Sequence, residues 1–166
     1  MDIGFINSSG QFRLRACAII IENDCILMVK DCKRGYYYSV GGAVKQNETA
    51  EKAVVREVFE ETGKFYEIDR LAFIHENFFT SDNGENGADL PFHEVSFYFL
   101  MKPQAVNSNC STQFNNESNN NTDNTLEKLE WISLKDYKNK EAYPQFFKDK
   151  LKNMPDYPQH IVTIEE

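Results

Sequence analysis

The segment from Thr49 to Thr62 constrains the fold of this chain more than any other, because both its ends and both its faces are specified. Thr49 is placed to cap a helix, Glu51 complements the partial positive charge of the first turn, and Gly63 stands where a helix ends in a left-handed residue. The stripe Ala50, Val54, Val55, Val58 and Phe59 follows helical spacing and predicts packing on a sheet. Glu57, Glu60 and Glu61, at i, i+3 and i+4, gather on a neighbouring face. Like charges that close raise one another's pKa and destabilise a helix by a few tenths of a kcal/mol per pair, a penalty that a hard divalent cation removes.

A helix with one apolar face needs a sheet, and the flanking sequence supplies strands. Phe12 to Ile21 is nearly continuous apolar, Asn23-Asp24 interrupts it, and Cys25 to Val29 resumes, which reads as two strands and a tight turn. Gly35 to Gly42 is a short aromatic strand ending in a glycine pair, suited to a bend where backbone comes close to something. Leu71 to Phe79 and Phe92 to Met101 read as an antiparallel pair across a polar loop with two Asn-Gly turns. Leu129 to Ser133 reads as a strand, Leu134 to Tyr137 as a helical turn, Tyr143 to Leu151 as a helix begun near Pro144, and the terminal HIVTI as an edge strand. The Asn- and Ser-rich stretch 107–125 buries too little apolar surface to order itself and is expected to be a flexible loop. Strands, one strong helix, more strands and a late helix predict a mixed α/β sheet covered on both faces.

Length limits this to a single domain over residues 1–166. A net charge of −8 and a pI near 5.0 exclude a broad grip on a nucleic acid polymer, which needs clustered Lys and Arg, but leave a small anionic substrate open through a bound cation. No run approaches the ~18 apolar residues of a membrane span and no secretory segment is evident, so a cytoplasmic protein is expected. Cys17, Cys25, Cys32 and Cys110 form no CxxC pair and are expected as free thiols.

The stretch Gly42, then Glu48 after five intervening residues, then Arg56-Glu57-Val58-Phe59-Glu60-Glu61-Thr62-Gly63 resembles the signature of the Nudix (MutT-like) hydrolase family at every specified position. Two departures are Val40, where many relatives carry proline, and Lys64, where the signature ends in an aliphatic residue; neither removes a ligand, and Phe65 can take over the apolar contact. The resemblance implies a Nudix α/β/α sandwich with a mixed central sheet. It implies that the Gly41 carbonyl and the carboxylates of Glu57, Glu60 and Glu61 hold Mg²⁺, with Mn²⁺ as a substitute, and that Arg56 and Glu48 hold those ligands in place. It also implies pyrophosphohydrolysis of a nucleoside diphosphate linked to another moiety: a nucleoside triphosphate, ADP-ribose or another nucleotide sugar, or a dinucleoside polyphosphate. Glu57 is the first candidate to position the water, with Glu85, Glu94 and Glu127 as alternative bases.

Arg15, Tyr38 and Glu94 are candidate substrate-binding residues, Arg13 alternates with Arg15 on the same strand, and the Tyr36-Tyr37-Tyr38 run suits either base stacking or core packing. His75 and His93, each before a glutamate, are expected as packed or surface residues rather than a metal pair, and Trp131 as a core anchor. Asp82, Glu85 and Asp89 lack the acid spacing of a calcium loop. The expected partner is a small nucleotide-type molecule, the chain acting as monomer or homodimer. Other readings are a non-catalytic sensor of an ADP-ribose-like nucleotide and an isoprenoid diphosphate isomerase, separated from hydrolysis by whether phosphate or nucleoside monophosphate is released.

Overall fold

The computed structural model describes residues 1–81, 90–103 and 127–165, and it places one long helix between strands of two sheets. The first sheet has six strands: β1 (Gly4–Asn7), β2 (Gly10–Ile19), β6 (Gly41–Ala43), β7 (Ile68–Ser81), β8 (Leu90–Met101) and β11 (Gln159–Ile164). Its order is β1-β2-β8-β7-β11, with β6 also paired to β2. It is mixed: β2 runs parallel to β8 and β11 parallel to β7, whereas β7 and β8 are antiparallel. The second sheet holds β3 (Ile21–Glu22), β4 (Cys25–Asp31), β5 (Tyr37–Ser39), β9 (Glu127–Ser133) and β10 (Ala142–Tyr143). The mixed α/β class read from the sequence holds, with the strands divided between two sheets.

The near-continuous apolar runs are explained by burial on both faces. Along β2, Ala16 and Ala18 enter a core with Leu27, Val29, Val54, Val58 and Trp131. Their neighbours Cys17 and Ile19 enter a second core with Ile26, Met28, Phe73, Tyr98 and Phe147. Helix α1 (Ala50–Thr62) covers the first core, and the short α2 (Phe147–Lys150) contributes to the second, which gives the layers of a sandwich. The turn Asn23-Asp24 has φ of 49° and 59° and joins β3 to β4, the mirror-image geometry that suits a right-twisted hairpin.

Helix α1 begins and ends where its sequence says. The Thr49 hydroxyl accepts the Lys52 N–H at 3.3 Å, and Gly63, at φ 68°, donates its N–H to Phe59 O. Its buried face is Ala53, Val54, Val58 and Thr62, with Ala50 and Val55 packed at the margin. Phe59 departs from the expected stripe: it is 41% exposed and stacks on Phe65, ring centroids 4.1 Å apart, outside the core. Phe65 thus makes the apolar contact expected after Lys64, and Val40, fully buried, is a core residue in place of the proline.

Three expectations are corrected. The helix read over Tyr143 to Leu151 is only α2, because a residue before proline is pushed out of helical geometry and Tyr143 instead pairs with Tyr38 in β10. The helical turn read at Leu134 to Tyr137 forms later, as a 3-10 turn over Tyr137–Asn139. Cys25 is disulfide-bonded rather than free, whereas Cys17 and Cys32 are free thiols; spacing in sequence does not show which sulfurs approach in space. The strands at Gly4–Asn7 and Ala142–Tyr143 were not legible as such. The loop 107–125, Cys110, Asp82, Glu85 and Asp89 lie outside the described residues, and among the described residues no helix is long and apolar enough to cross a membrane.

Replacing Thr49 with alanine removes the cap of α1, and is expected to lower stability by about 1 kcal/mol in urea unfolding; an unchanged midpoint would contradict the capping role.

Candidate active site

The site is built where the chain passes from one sheet to the other. β5 ends at Ser39 in the second sheet and β6 begins at Gly41 in the first, so the glycine pair is the crossing point. Gly41 has φ 138°, and a Cβ there would lie 2.4 Å from Ala16 O and 2.6 Å from Cys17 Cα, so only glycine lets β6 lie this close to β2. At Gly42 a Cβ would meet the Glu57 carboxyl carbon at 2.6 Å. The helix carboxylate therefore closes directly on the bend.

Arg56 ties these parts together. Its Nε and Nη2 donate to the two Glu48 carboxylate oxygens at 2.8 and 2.9 Å, its Nη2 also donates to Ala43 O at 3.1 Å, and its Nη1 donates to Glu57 and Glu60. Glu48 accepts in addition the Lys45 N–H at 3.0 Å. Arg56 holds the Glu48 carboxyl down to about 2, against burial. Glu61 turns the other way and accepts the Gly41 N–H at 3.1 Å. Burial pushes its carboxyl up to about 7; Glu57 and Glu127 add to the rise, opposed by the Gly41 N–H and Arg15.

The expected ligand groups are thus arranged around the bend, but unequally. Glu57 and Glu61 are close enough to influence one another, whereas Glu60 is half-exposed and paired with Arg56. The Gly41 carbonyl accepts the Arg15 Nη2–H at 2.9 Å. Among the described residues no three acidic, histidine or cysteine side chains form a ready ligand cage. This donor set is nevertheless all oxygen, and Mg²⁺ characteristically takes one or two carboxylates with substrate phosphates and water rather than a complete protein cage. The residues present fit such an ion.

Gly42 and Ala43 also border a cavity of about 970 Å³. Arg13, Arg15, Arg34, Tyr36 and Tyr38 line it, as do Glu94 on β8 and Glu127 at the start of β9. Glu94 is engaged by Arg13 and by the Ser96 hydroxyl at 2.8 Å, with Arg15 3.9 Å away. Arg13 lies over the stacked rings of Phe79 and Phe92, 5.8 and 5.3 Å from their centroids. Burial raises the Tyr38 hydroxyl pKa, and a hydrogen bond to Glu127 raises it further. Tyr37 points away from the cavity into the second core, where its hydroxyl donates to Glu130 at 2.8 Å.

The histidines do not form a metal pair. His75 lines the cavity, whereas His93 is on the opposite face of the sheet, stacked on Phe78 with ring centroids 4.3 Å apart. Trp131 is buried in the first core as expected. Asn77, which also lines the cavity, was missed from the sequence: within the polar run His75-Glu76-Asn77 of β7, nothing shows which side chains face a cavity until the neighbouring strands are in register.

The NUDIX domain family model matches residues 11–152. The mutator MutT protein of Bacillus halodurans superimposes with a TM-score of 0.60 at 16% identity, covering 92% of this chain and 90% of that one. The MutT protein of Methanosarcina mazei Go1 superimposes with a TM-score of 0.56 at 19% identity, covering 83% and 88%. A MutT-like protein of Streptomyces ambofaciens is 34% identical over 62 residues, which span 37% of this chain and only 40% of that protein. The chain belongs to the NUDIX family of hydrolases.

The Glu48–Arg56 pair gives a pH test. In the unfolded chain Glu48 titrates near ~4.3, whereas in the fold Arg56 holds it down to about 2. The folded value is the lower, so the pair stabilises the protein fully above about pH 4.5 and is lost as pH falls toward ~2. Unfolding free energy over that window should therefore fall less steeply for Arg56→Gln than for wild type; parallel curves would refute the pairing.

Proposed function

We propose that this protein is a Mg²⁺-dependent pyrophosphohydrolase acting on a nucleoside diphosphate linked to a further group. The observation that carries this reading is the Glu57 carboxyl closed against Gly42 at the border of a cavity of about 970 Å³, a volume suited to a nucleotide. The cavity meets the glycine bend at Gly42 and Ala43, and guanidinium and aromatic groups line it beyond them, the complement of an anhydride and its attached nucleoside.

Glu57 and Glu61, with the Gly41 carbonyl, are the groups that would hold the ion, and Glu60 is a further oxygen donor at its exposed side. Mg²⁺ when bound supplies charge withdrawal from the bridging phosphates and a water of lowered pKa. Glu57 would orient the attacking water and accept its proton, or would leave the second task to Glu127, which lines the cavity that Gly42 borders. Arg56 fixes the Glu57 carboxylate while Glu48 fixes Arg56, so the acid face keeps one geometry through turnover. Arg15 holds the bend through Gly41 O and, with Arg13, places positive charge beside the path of the phosphates.

A panel of nucleoside triphosphates, nucleotide sugars including ADP-ribose, and dinucleoside polyphosphates, assayed with Mg²⁺ or Mn²⁺, tests the reading. At least one class should release phosphate, pyrophosphate or a nucleoside monophosphate, and Glu57→Gln should lower kcat by about 100-fold or more. Ligand binding with no product from any class would favour a sensor, and equal rates in the variant would remove Glu57 from the mechanism.

A further inference from the structure

Two side chains on β7 hold unspent hydrogen-bonding capacity in the cavity wall and take no part in the chemistry above. His75, only 3% exposed, engages Thr163 Oγ1 through Nε2 at 2.8 Å, while its Nδ1 is buried with no partner. Two residues on, and on the same face of the strand, Asn77 buries its Oδ1 with no partner. A buried polar atom left unmatched costs ~1–3 kcal/mol, so two on one wall mark a surface completed by something else.

We propose that His75 and Asn77 read the edge of an amino-bearing nucleobase, adenine or cytosine in type, in the substrate of this hydrolase. The inference rests on the nucleotide reading above and deepens it. Strand register supplies the distance. Ala43 pairs with Arg15, Arg15 with Ser96, and Ser96 with His75, so the catalytic bend and His75 end one row across four strands. Three strand spacings of about 4.8 Å make roughly 14 Å, a span that an extended nucleoside diphosphate can bridge. The next row runs Arg13, Glu94, Asn77, Thr163, and puts both arginines between the bend and β7, where the phosphates would pass.

The chemistry at the β7 end suits a base and not a phosphate. Burial holds the His75 ring down to about 4, so it is neutral at physiological pH, and Glu94 and Glu165 border the same region. Asn77 Oδ1 is an acceptor, and so is His75 Nδ1 in the tautomer that donates Nε2–H to Thr163; in that tautomer the two call for N–H donors. An exocyclic amino group supplies them, and a carbonyl in the same place would meet two acceptors. Tyr36 and Tyr143, edge to face with ring centroids 5.7 Å apart, line the same cavity and offer a ring face for stacking.

Binding of AMP, IMP, CMP and UMP to the full chain by calorimetry, without Mg²⁺, tests this with no need for turnover. AMP should bind about 10-fold more tightly than IMP, and CMP than UMP, as expected for one hydrogen bond exchanged for a clash of acceptors. In Asn77→Leu, of similar volume, each preference should shrink to within ~2-fold while the melting temperature confirms the fold. Equal binding of AMP and IMP by wild type, binding of none of the four, or a preference that survives in Asn77→Leu would each overturn the assignment. If the variant does not fold, the wild-type comparison still decides. Turnover assays run alongside separate the two readings: product without base discrimination overturns only this subsite, and discrimination without product overturns only the hydrolase.

Discussion

One guanidinium holds the site together. Arg56 reaches both oxygens of Glu48, the backbone of Ala43 and the carboxylates of Glu57 and Glu60, so it fixes the acid face of α1 against the strand that carries the glycine pair. Without it, three carboxylates within two turns would repel each other and the bend. With it, Glu57 lies against Gly42 and Glu61 against the Gly41 amide, although neither glycine is on the helix. The arrangement leaves net negative charge beside a half-closed cavity, which is the condition a divalent cation relieves.

The division of the strands into two sheets has a direct consequence for this geometry. Because the chain changes sheets at Val40 and Gly41, the bend touches α1 on one side and the cavity on the other. The acid face of α1 and the residues lining the cavity therefore lie on opposite sides of the first sheet and approach one another at the glycines. That separation lets β7 and β8 carry polar residues such as His75, Asn77 and Glu94 without disturbing the core under α1.

The helix and the spacing of its carboxylates were legible because both are local. Thr49, Gly63 and the i, i+3, i+4 carboxylates act within a few residues of one another, and the structure realises the caps as read. The strands of β2 and β4 were legible for the same reason, their apolar runs reporting burial on two faces. Phe59 misled because helical spacing cannot tell the core from a second apolar contact just beyond the helix, here Phe65. Tyr143 misled because the following proline opposes helix there. Arg15 was read as a candidate substrate-binding residue, but its hydrogen bond to Gly41 O, across 26 residues, was beyond reach of the sequence, as was the place of Asn77 in the cavity wall, which depends on four strands in register. Glu94, a candidate for substrate or base, is found engaged by Arg13 and Ser96, pairings that no spacing announces.

The account stands on the claim that α1 and the glycine bend together bind a divalent cation. Crystals soaked in Mn²⁺ and measured at the manganese edge test it without any assumption about substrate. The predicted result is an anomalous peak about 2.0–2.2 Å from carboxylate oxygens of Glu57 and Glu61 and beside the Gly41 carbonyl. No peak there at saturating Mn²⁺, or a peak only elsewhere, such as beside Glu76 and His160, would contradict it.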